Sequence, residues 1–430
     1  MGAASEAALA DLAHGTALPE AASLAGKAVL LRVADPLYAA IALVELDGLA
    51  RRIVLSPPDL SDDALPGVIE AAGVEAAVCD GAAPIAGLPT HRITLPVQLL
   101  DTPPAAKTPT EWVMFTSGTS GPPKMVLHSL EGLTGAIKPA DASAAPPIWG
   151  TFYDIRRYGG LQILLRALIG EGSLAITAPD EPMPAFLARL ARLGVTHLTG
   201  TPSHWRRALM TPQARALAPR YVRLSGEIAD QAVLDALKAR FPGVPIGHAY
   251  ASTEAGVGFE VNDGLAGFPA AYVGGLAEVD LRVADGVLQM RSARVASAYV
   301  GGAALAADDG FVDTGDMVEL RGDRYHFVGR RGGVINVGGL KAHPEEIEAV
   351  INSHPAVRMS RVSGRRSPIT GAIVTAEVVL RDPAADEAAA RTGILDACRG
   401  ALAPFKTPAL LRFVPSLPMS AGGKLERMLA

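Results

Sequence analysis

Short apolar runs alternate with amphipathic stretches through the first half of the chain. Residues 29–33, 53–55 and 75–78 read as short buried strands, the first two rich in valine, isoleucine and leucine. Between them, residues 38–50 and 63–72 repeat apolar side chains at helical spacing. The alternation returns as a strand at 172–177, a helix at 183–193, a strand at 197–200, a helix at 230–240 and a strand at 246–250. Strand–helix–strand order predicts an α/β fold of parallel sheets covered by helices. From 274 to 328 the texture changes. Runs at 280–283, 287–292 and 324–328 are separated by Asp-Gly and Gly-Asp turns, which predicts an antiparallel β module. Residues 334–430 read as a small α+β unit: a helix at 344–353, a strand at 374–380, a helix at 384–401 and an exposed tail.

Length and charge narrow this picture. With 430 residues and 49% apolar content, the chain can bury a large core in two or three modules. The formal charge is −5 and Lys/Arg residues cluster only in pairs, which argues against a nucleic-acid surface. Two cysteines, Cys79 and Cys398, rule out a disulfide framework or zinc-ligand spacing and read as buried, reduced thiols. Residues 1–27 lack a basic start followed by an apolar run. Residues 28–50 are interrupted by Arg32, Asp35, Glu45 and Asp47, too many charges to span a bilayer. The expectation is a cytoplasmic protein with no membrane partner.

The strongest local signal is Thr116-Ser117-Gly118-Thr119-Ser120-Gly121-Pro122-Pro123-Lys124, after the predicted strand at 112–115. Hydroxyls and glycines packed this way can close around phosphate oxygens, and Lys124 adds a positive charge. The spacing is not the Walker pattern. Alone, a flexible Ser/Gly turn explains it equally well. Further strings follow: Tyr250-Ala251-Ser252-Thr253-Glu254, Asp313-Thr314-Gly315-Asp316, Gly329-Arg330, Ile335-Asn336-Val337-Gly338-Gly339-Leu340-Lys341, and Pro418-Met419-Ser420-Ala421-Gly422-Gly423-Lys424. Arg223-Leu224-Ser225-Gly226-Glu227 is a looser match that a plain strand-to-helix turn also explains.

In this order and spacing the strings resemble the adenylate-forming superfamily of acyl-CoA synthetases, peptide-synthetase adenylation domains and luciferases. The resemblance implies a large N-terminal domain (1–329) of parallel, helix-covered sheets with a β-barrel-like subdomain at about 274–328. A hinge at 330–333 and a small mobile α+β C-terminal domain (334–430) would follow. It implies ATP and Mg2+ as cofactors. Residues 116–121 and Lys124 would form the ATP-phosphate loop, and Tyr250, Asp316 and Arg330, with Gly226 and Glu227, the adenine and ribose site. Thr253 would contact the α-phosphate and Glu254 would hold magnesium. Lys424 would be the catalytic lysine, and Gly338 and Gly339 would line a thiol tunnel. Gly332 stands where the family has an acidic residue or lysine at its hinge.

By the same resemblance the acyl pocket draws on Tyr153, Asp154, Trp205, His248, Ala251 and Ser252. Ala251 replaces the family's glycine. Asp154 would accept a substrate ammonium if it lines the pocket; otherwise it pairs with Arg156 or Arg157, or caps the following helix. Trp205, Tyr153 and His248 would suit an aryl acid, although aromatic residues in helices are more often core. The phosphate loop lies nearer the start of the chain than in the family, which implies a shortened N-terminal region and a surface open to homodimerisation. The space between 274 and 316 leaves no room for the insertion of fatty acyl-AMP ligases. Three functions follow as expectations: an acid–CoA ligase, a free-standing enzyme loading an aryl, acyl or amino acid onto a carrier protein, and an ATP-binding pseudoenzyme.

Overall fold

The computed structural model describes residues 15–81, 85, 87–99, 108–116, 124–139, 143–302, 304–367, 371–420 and 423–426. The chain divides into two compact units. One comprises Met1–Thr199, Ala251–Gly258 and Ser292–Val312; the other comprises Gly200–Tyr250, Phe259–Arg291 and Asp313–Ala430.

The first unit is built on a seven-stranded sheet in the order Ala298–Tyr299, Met125–Ser129, Glu111–Phe115, Arg52–Leu55, Ala28–Arg32, Ala76–Cys79, Thr90–Arg92. The five strands from Glu111–Phe115 to Thr90–Arg92 are parallel, and Val29, Leu30 and Leu31 at the centre are buried on both faces. The crossover helix Pro36–Leu46 starts at Asp35, whose side chain accepts from Leu37 N, with Pro36 at the first helical position. The helix Leu65–Ala72 ends on Gly73 at φ +61°, a left-handed stop that favours glycine. Met125–Ser129 runs antiparallel to Glu111–Phe115 because only residues 116–124 join them, too few for a crossover. A second parallel ladder places Ile148–Thr151 between Ser173–Ala175 and His197–Gly200.

In the second unit Tyr221–Ser225 pairs in parallel with Ile246–Ser252. The predicted antiparallel module is a five-stranded sheet in the order Phe268–Pro269, Arg324–Arg330, Val312–Arg321, Val287–Arg291, Asp280–Ala284. The 334–430 segment forms another sheet, in which Val357–Ser367 and Gly371–Leu380 pair antiparallel beside the Ile335–Val337/Leu340–Ala342 hairpin. The helices Pro344–Ser353 and Glu387–Ala401 bury Ile347, Ile351, Ile394 and Cys398 against that sheet.

One expectation is corrected here: the tail after the last helix is not simply exposed. Leu410–Phe413 adds a strand parallel to Gly371–Leu380, and Leu417 packs on Met359 and Val379 with Met419 and Leu425 against them. Burial of these scattered leucines and methionines holds the chain down as far as Leu425. Both cysteines are free and buried. Among the described residues no helix is long and apolar enough to cross a membrane.

Candidate active site

In the first unit the ends of the expected phosphate loop meet, where Thr116 N donates to the Lys124 carbonyl at 3.0 Å. Ser117, Gly118, Thr119, Ser120 and Gly121 lie outside the described residues. Lys124 Nζ stands 5.9 Å from the centroid of the Tyr299 ring, a cation–π contact. Burial raises the Tyr299 phenol, and the charge of Glu254 raises it further. Tyr299 thus contacts Lys124 and feels the charge of Glu254, 130 positions from that lysine, and no motif string contains it.

The segment carrying Thr253 and Glu254 is pinned by its backbone. His128 Nε2 lies 2.7 Å from the Thr253 carbonyl, and Ala296 N donates to the Glu254 carbonyl at 3.0 Å. A carbonyl only accepts, so the proton sits on His128 Nε2. Among the described residues there is no cluster of three His, Cys, Asp or Glu side chains arranged to hold a metal. Glu254 alone is the donor set that fits a hard divalent ion whose other ligands are phosphate oxygens and water.

In the second unit Asp316 gathers Tyr250 and Arg330, two of the residues expected at the nucleoside, whereas Gly226 and Glu227 lie elsewhere, beside Lys424 and Leu425. Tyr250 Oη donates to Asp316 Oδ2 at 2.7 Å, and Arg330 Nε donates to Oδ1 at 2.9 Å. Asp316 and Arg330 face each other directly across the antiparallel pair Val312–Arg321/Arg324–Arg330. The Tyr250 ring stacks on Phe327 at 5.1 Å and 13° and on Phe259 at 5.5 Å and 20°. Burial and the neighbouring Asp316 charge raise the Tyr250 pKa, so the phenol stays protonated and donating. Each Asp316 oxygen keeps a second lone pair for another donor.

The same unit holds the lysine loop. The helix Pro202–Ala208 opens with a capping box: Thr201 Oγ1 accepts from His204 N, and His204 Nδ1 accepts from Thr201 N. Thr201 Oγ1 also donates to the Gly423 carbonyl at 3.0 Å. Glu227 accepts from Ser203 N and Ser203 Oγ at 2.9 and 3.0 Å, and from Leu425 N at 2.9 Å. Gly226 has φ +84°, and a Cβ there would lie 3.3 Å from Lys424 Cε. The Gly-Glu string thus lies directly against the string that carries Lys424, the lysine expected to be catalytic.

The acyl-pocket residues divide by environment. Asp154 is held by Arg156 in a two-pronged ion pair, with Nε to Oδ1 at 2.8 Å and Nη2 to Oδ2 at 2.6 Å. Arg156 is itself fixed by the Val33 and Ala34 carbonyls. Of the readings open for Asp154, this is the pairing with Arg156; the helix Tyr158–Ile169 starts at Arg157 with no side-chain cap. The Tyr153 ring lies over Gly159. Ser252 Oγ accepts from Ala255 N, and Ala251 packs on the core of the first unit. Trp205 is buried edge-on to Phe241, and His248 Nε2 lies 2.9 Å from the Leu265 carbonyl.

Residues 46–291 match the AMP-binding enzyme family, and residues 346–424 match the AMP-binding enzyme C-terminal domain. The chain belongs to the AMP-binding enzyme family. It is 27% identical over 343 residues to the 2-succinylbenzoate–CoA ligase of Listeria innocua serovar 6a, covering 73% of this chain and 68% of that protein. It is 28% identical over 412 residues to the sulfoacetate–CoA ligase of Cupriavidus necator, covering 88% and 77%. The amide bond synthetase McbA from Marinactinospora thermotolerans shares the fold at a TM-score of 0.77 and 22% identity, over 97% of this chain and 91% of that one.

In this AMP-binding enzyme the glycine pair Gly338-Gly339 has a local structural cause. The two residues join Val337 to Leu340 as a two-residue hairpin turn with φ +60° and +88°, both left-handed, as a type I′ turn requires. Nothing lies within 4 Å of a Cβ built at either position, so the backbone is open to close approach.

Two interior histidines make the enzyme acid-sensitive. Burial lowers His128 to about 4, against an opposing pull from the Thr253 carbonyl. Burial, then the charge on Arg207, lowers His204 to about 3. An unfolded histidine titrates near 6.5, so below that pH the unfolded chain binds the proton first. The stability held by the neutral rings is complete above about pH 6.5 and is lost as pH falls toward the folded values. Each ring contributes a slope of about 1.4 kcal/mol per pH unit in that window. Chemical denaturation at pH 7 and pH 5 is expected to show wild type losing about 2 kcal/mol more than His128→Gln. Equal losses in the two proteins would refute this.

Proposed function

We propose that this AMP-binding enzyme joins a carboxylic acid to coenzyme A in two steps, using ATP. In the first, a carboxylate oxygen, already ionised at neutral pH, bonds to the α-phosphorus of ATP while the bond to pyrophosphate breaks. In the second, the thiol sulfur bonds to the acyl carbon, its proton passes to solvent, and AMP leaves. The observation that carries this reading is the seating of the lysine string. Lys424 lies against Gly226 in the same compact unit as the Tyr250–Asp316–Arg330 set.

Asp316 takes the ribose hydroxyls, and Lys124 takes the outer phosphates. Lys424 neutralises the approaching carboxylate and the α-phosphate, so that positioning and charge supply the catalysis. Glu254 would hold a magnesium ion beside the phosphates, which would supply charge neutralisation there. Rotation of the 334–430 domain about Gly329–Gly333 then withdraws Lys424 and brings Gly338-Gly339 to the thiol.

The ion pair to Arg156 neutralises Asp154, which favours an acid without an ammonium group, such as an aryl or short to medium acyl acid. A phosphopantetheinyl carrier protein is the alternative thiol acceptor.

The test is pyrophosphate release across aryl, aliphatic and amino acids, with and without coenzyme A. Acid-dependent release that coenzyme A stimulates is expected. Release indifferent to coenzyme A would shift the acceptor to a carrier protein or, as the name of the structural neighbour McbA suggests, to an amine. No release with any acid, despite measurable ATP binding, would leave an ATP-binding protein without ligase activity.

A further inference from the structure

We propose that Glu227 is the latch that seats the Lys424 loop, so that it serves acid activation through the lysine rather than by touching the nucleotide. The idea rests on the role given to Lys424 above. The Glu227 carboxylate collects three donors from two distant segments: the amide and hydroxyl of Ser203, and the amide of Leu425. Oε1 is shared by the Ser203 hydroxyl and the Leu425 amide, so one oxygen ties the start of the helix Pro202–Ala208 to the residue after Lys424. On the other side of the lysine, the Gly423 carbonyl is held by Thr201 Oγ1. Gly423 has φ +68° and lies so near His204 that a Cβ would come within 1.8 Å of Nε2. The backbone is therefore fixed on both flanks of Lys424, and its side chain lies beside Gly226, the neighbour of the latch.

Charge explains the choice of residue. A carboxylate accepting N–H and O–H donors makes shorter, stronger hydrogen bonds than a neutral acceptor. The flanking ties on Gly423 and Leu425 are hydrogen bonds to backbone, which open without exposing a core. Such a contact can hold the lysine for one step and release it for the next.

The test combines one substrate-free measurement with kinetics. Glu227→Gln keeps the volume but turns an amide N–H₂ toward the donors, so it breaks the latch without emptying the site. Hydrogen exchange is expected to show the Leu425 amide losing protection about tenfold or more, while Val222 and Leu224 in the adjoining strand stay protected. The rate of acyl-adenylate formation should fall about tenfold or more, with the KM for ATP within about twofold. In a Lys424→Ala background the same substitution should cost nothing further, because there is no lysine left to seat. Gly423→Ala, which forces the loop off His204 without touching Glu227, should give the same kinetic signature.

Unchanged exchange at Leu425, a raised KM for ATP with kcat intact, or a full penalty in the Lys424→Ala background would each overturn the proposal. If wild type activates no acid at all, the ligase reading is what fails, and Leu425 exchange still decides whether Glu227 seats the loop.

Discussion

Lys424→Ala is expected to lower acid-dependent ATP–pyrophosphate exchange by about 10²–10³-fold, the usual loss when one preorganised charge is removed from a developing anion. Attack of a carboxylate on a phosphate brings two negative groups together, and in the proposed reaction the Lys424 ammonium would be the charge that offsets their repulsion. Its side chain is placed by Gly226, whose missing Cβ leaves 3.3 Å to Lys424 Cε, and by the fixed residues on either side. Lys424→Arg should recover little, since a planar guanidinium is bulkier than the ammonium that passes Gly226. Thioester formation from supplied acyl-adenylate should suffer far less, because that step no longer joins two anions. Exchange that stays within tenfold of wild type in Lys424→Ala would remove the lysine from the chemistry.

The parallel sheets were legible because burial on both faces writes continuous apolar runs, as in Val29-Leu30-Leu31. The helix at 344–353 was read to the residue because Pro344 and the glutamates of its first turn mark its start. Glu348, though, is buried and accepts from Val362 N, so it anchors the helix to a strand rather than facing water. The strand Val357–Ser367 was missed. Its inward valines and Met359 are interspersed with arginines, serines and a glycine, and a register shift between Val357 and Met359 breaks strict alternation. The docked tail was missed because its apolar run, residues 410–414, is short, and Pro415 and Pro418 then break any period around Leu417.

In the site, the motif strings carry residues expected to touch the nucleotide, and those can be found by spacing. His128 and Tyr299 act through partners far away in sequence, such as the Thr253 carbonyl 125 positions from His128. Only the fold brings such groups together. Glu227 shows the intermediate case: its string was readable, whereas its donors on Ser203 and Leu425 were not.

Asp316→Ala is expected to cut kcat/KM for ATP by about 10²–10³-fold, mostly through KM, because it removes charge-assisted hydrogen bonds to two ribose hydroxyls. The carboxylate also accepts the Tyr250 phenol and the Arg330 guanidinium, so its loss leaves a buried hydroxyl without its acceptor and frees Arg330 to turn away. Asp316→Asn keeps a neutral acceptor and should lose about tenfold. Tyr250→Phe removes one donor and leaves the carboxylate on Arg330, so its effect should be a few-fold at most. The ranking decides how Asp316 works, with ATP varied at saturating acid and thermal melting used to confirm folding. If Tyr250→Phe costs as much as Asp316→Ala, the carboxylate acts by orienting the tyrosine rather than by holding the sugar. If all three variants keep the wild-type KM, the Asp316–Tyr250–Arg330 set has no part in nucleotide binding. A graded loss in the order alanine, asparagine, phenylalanine is what direct contact with the ribose requires.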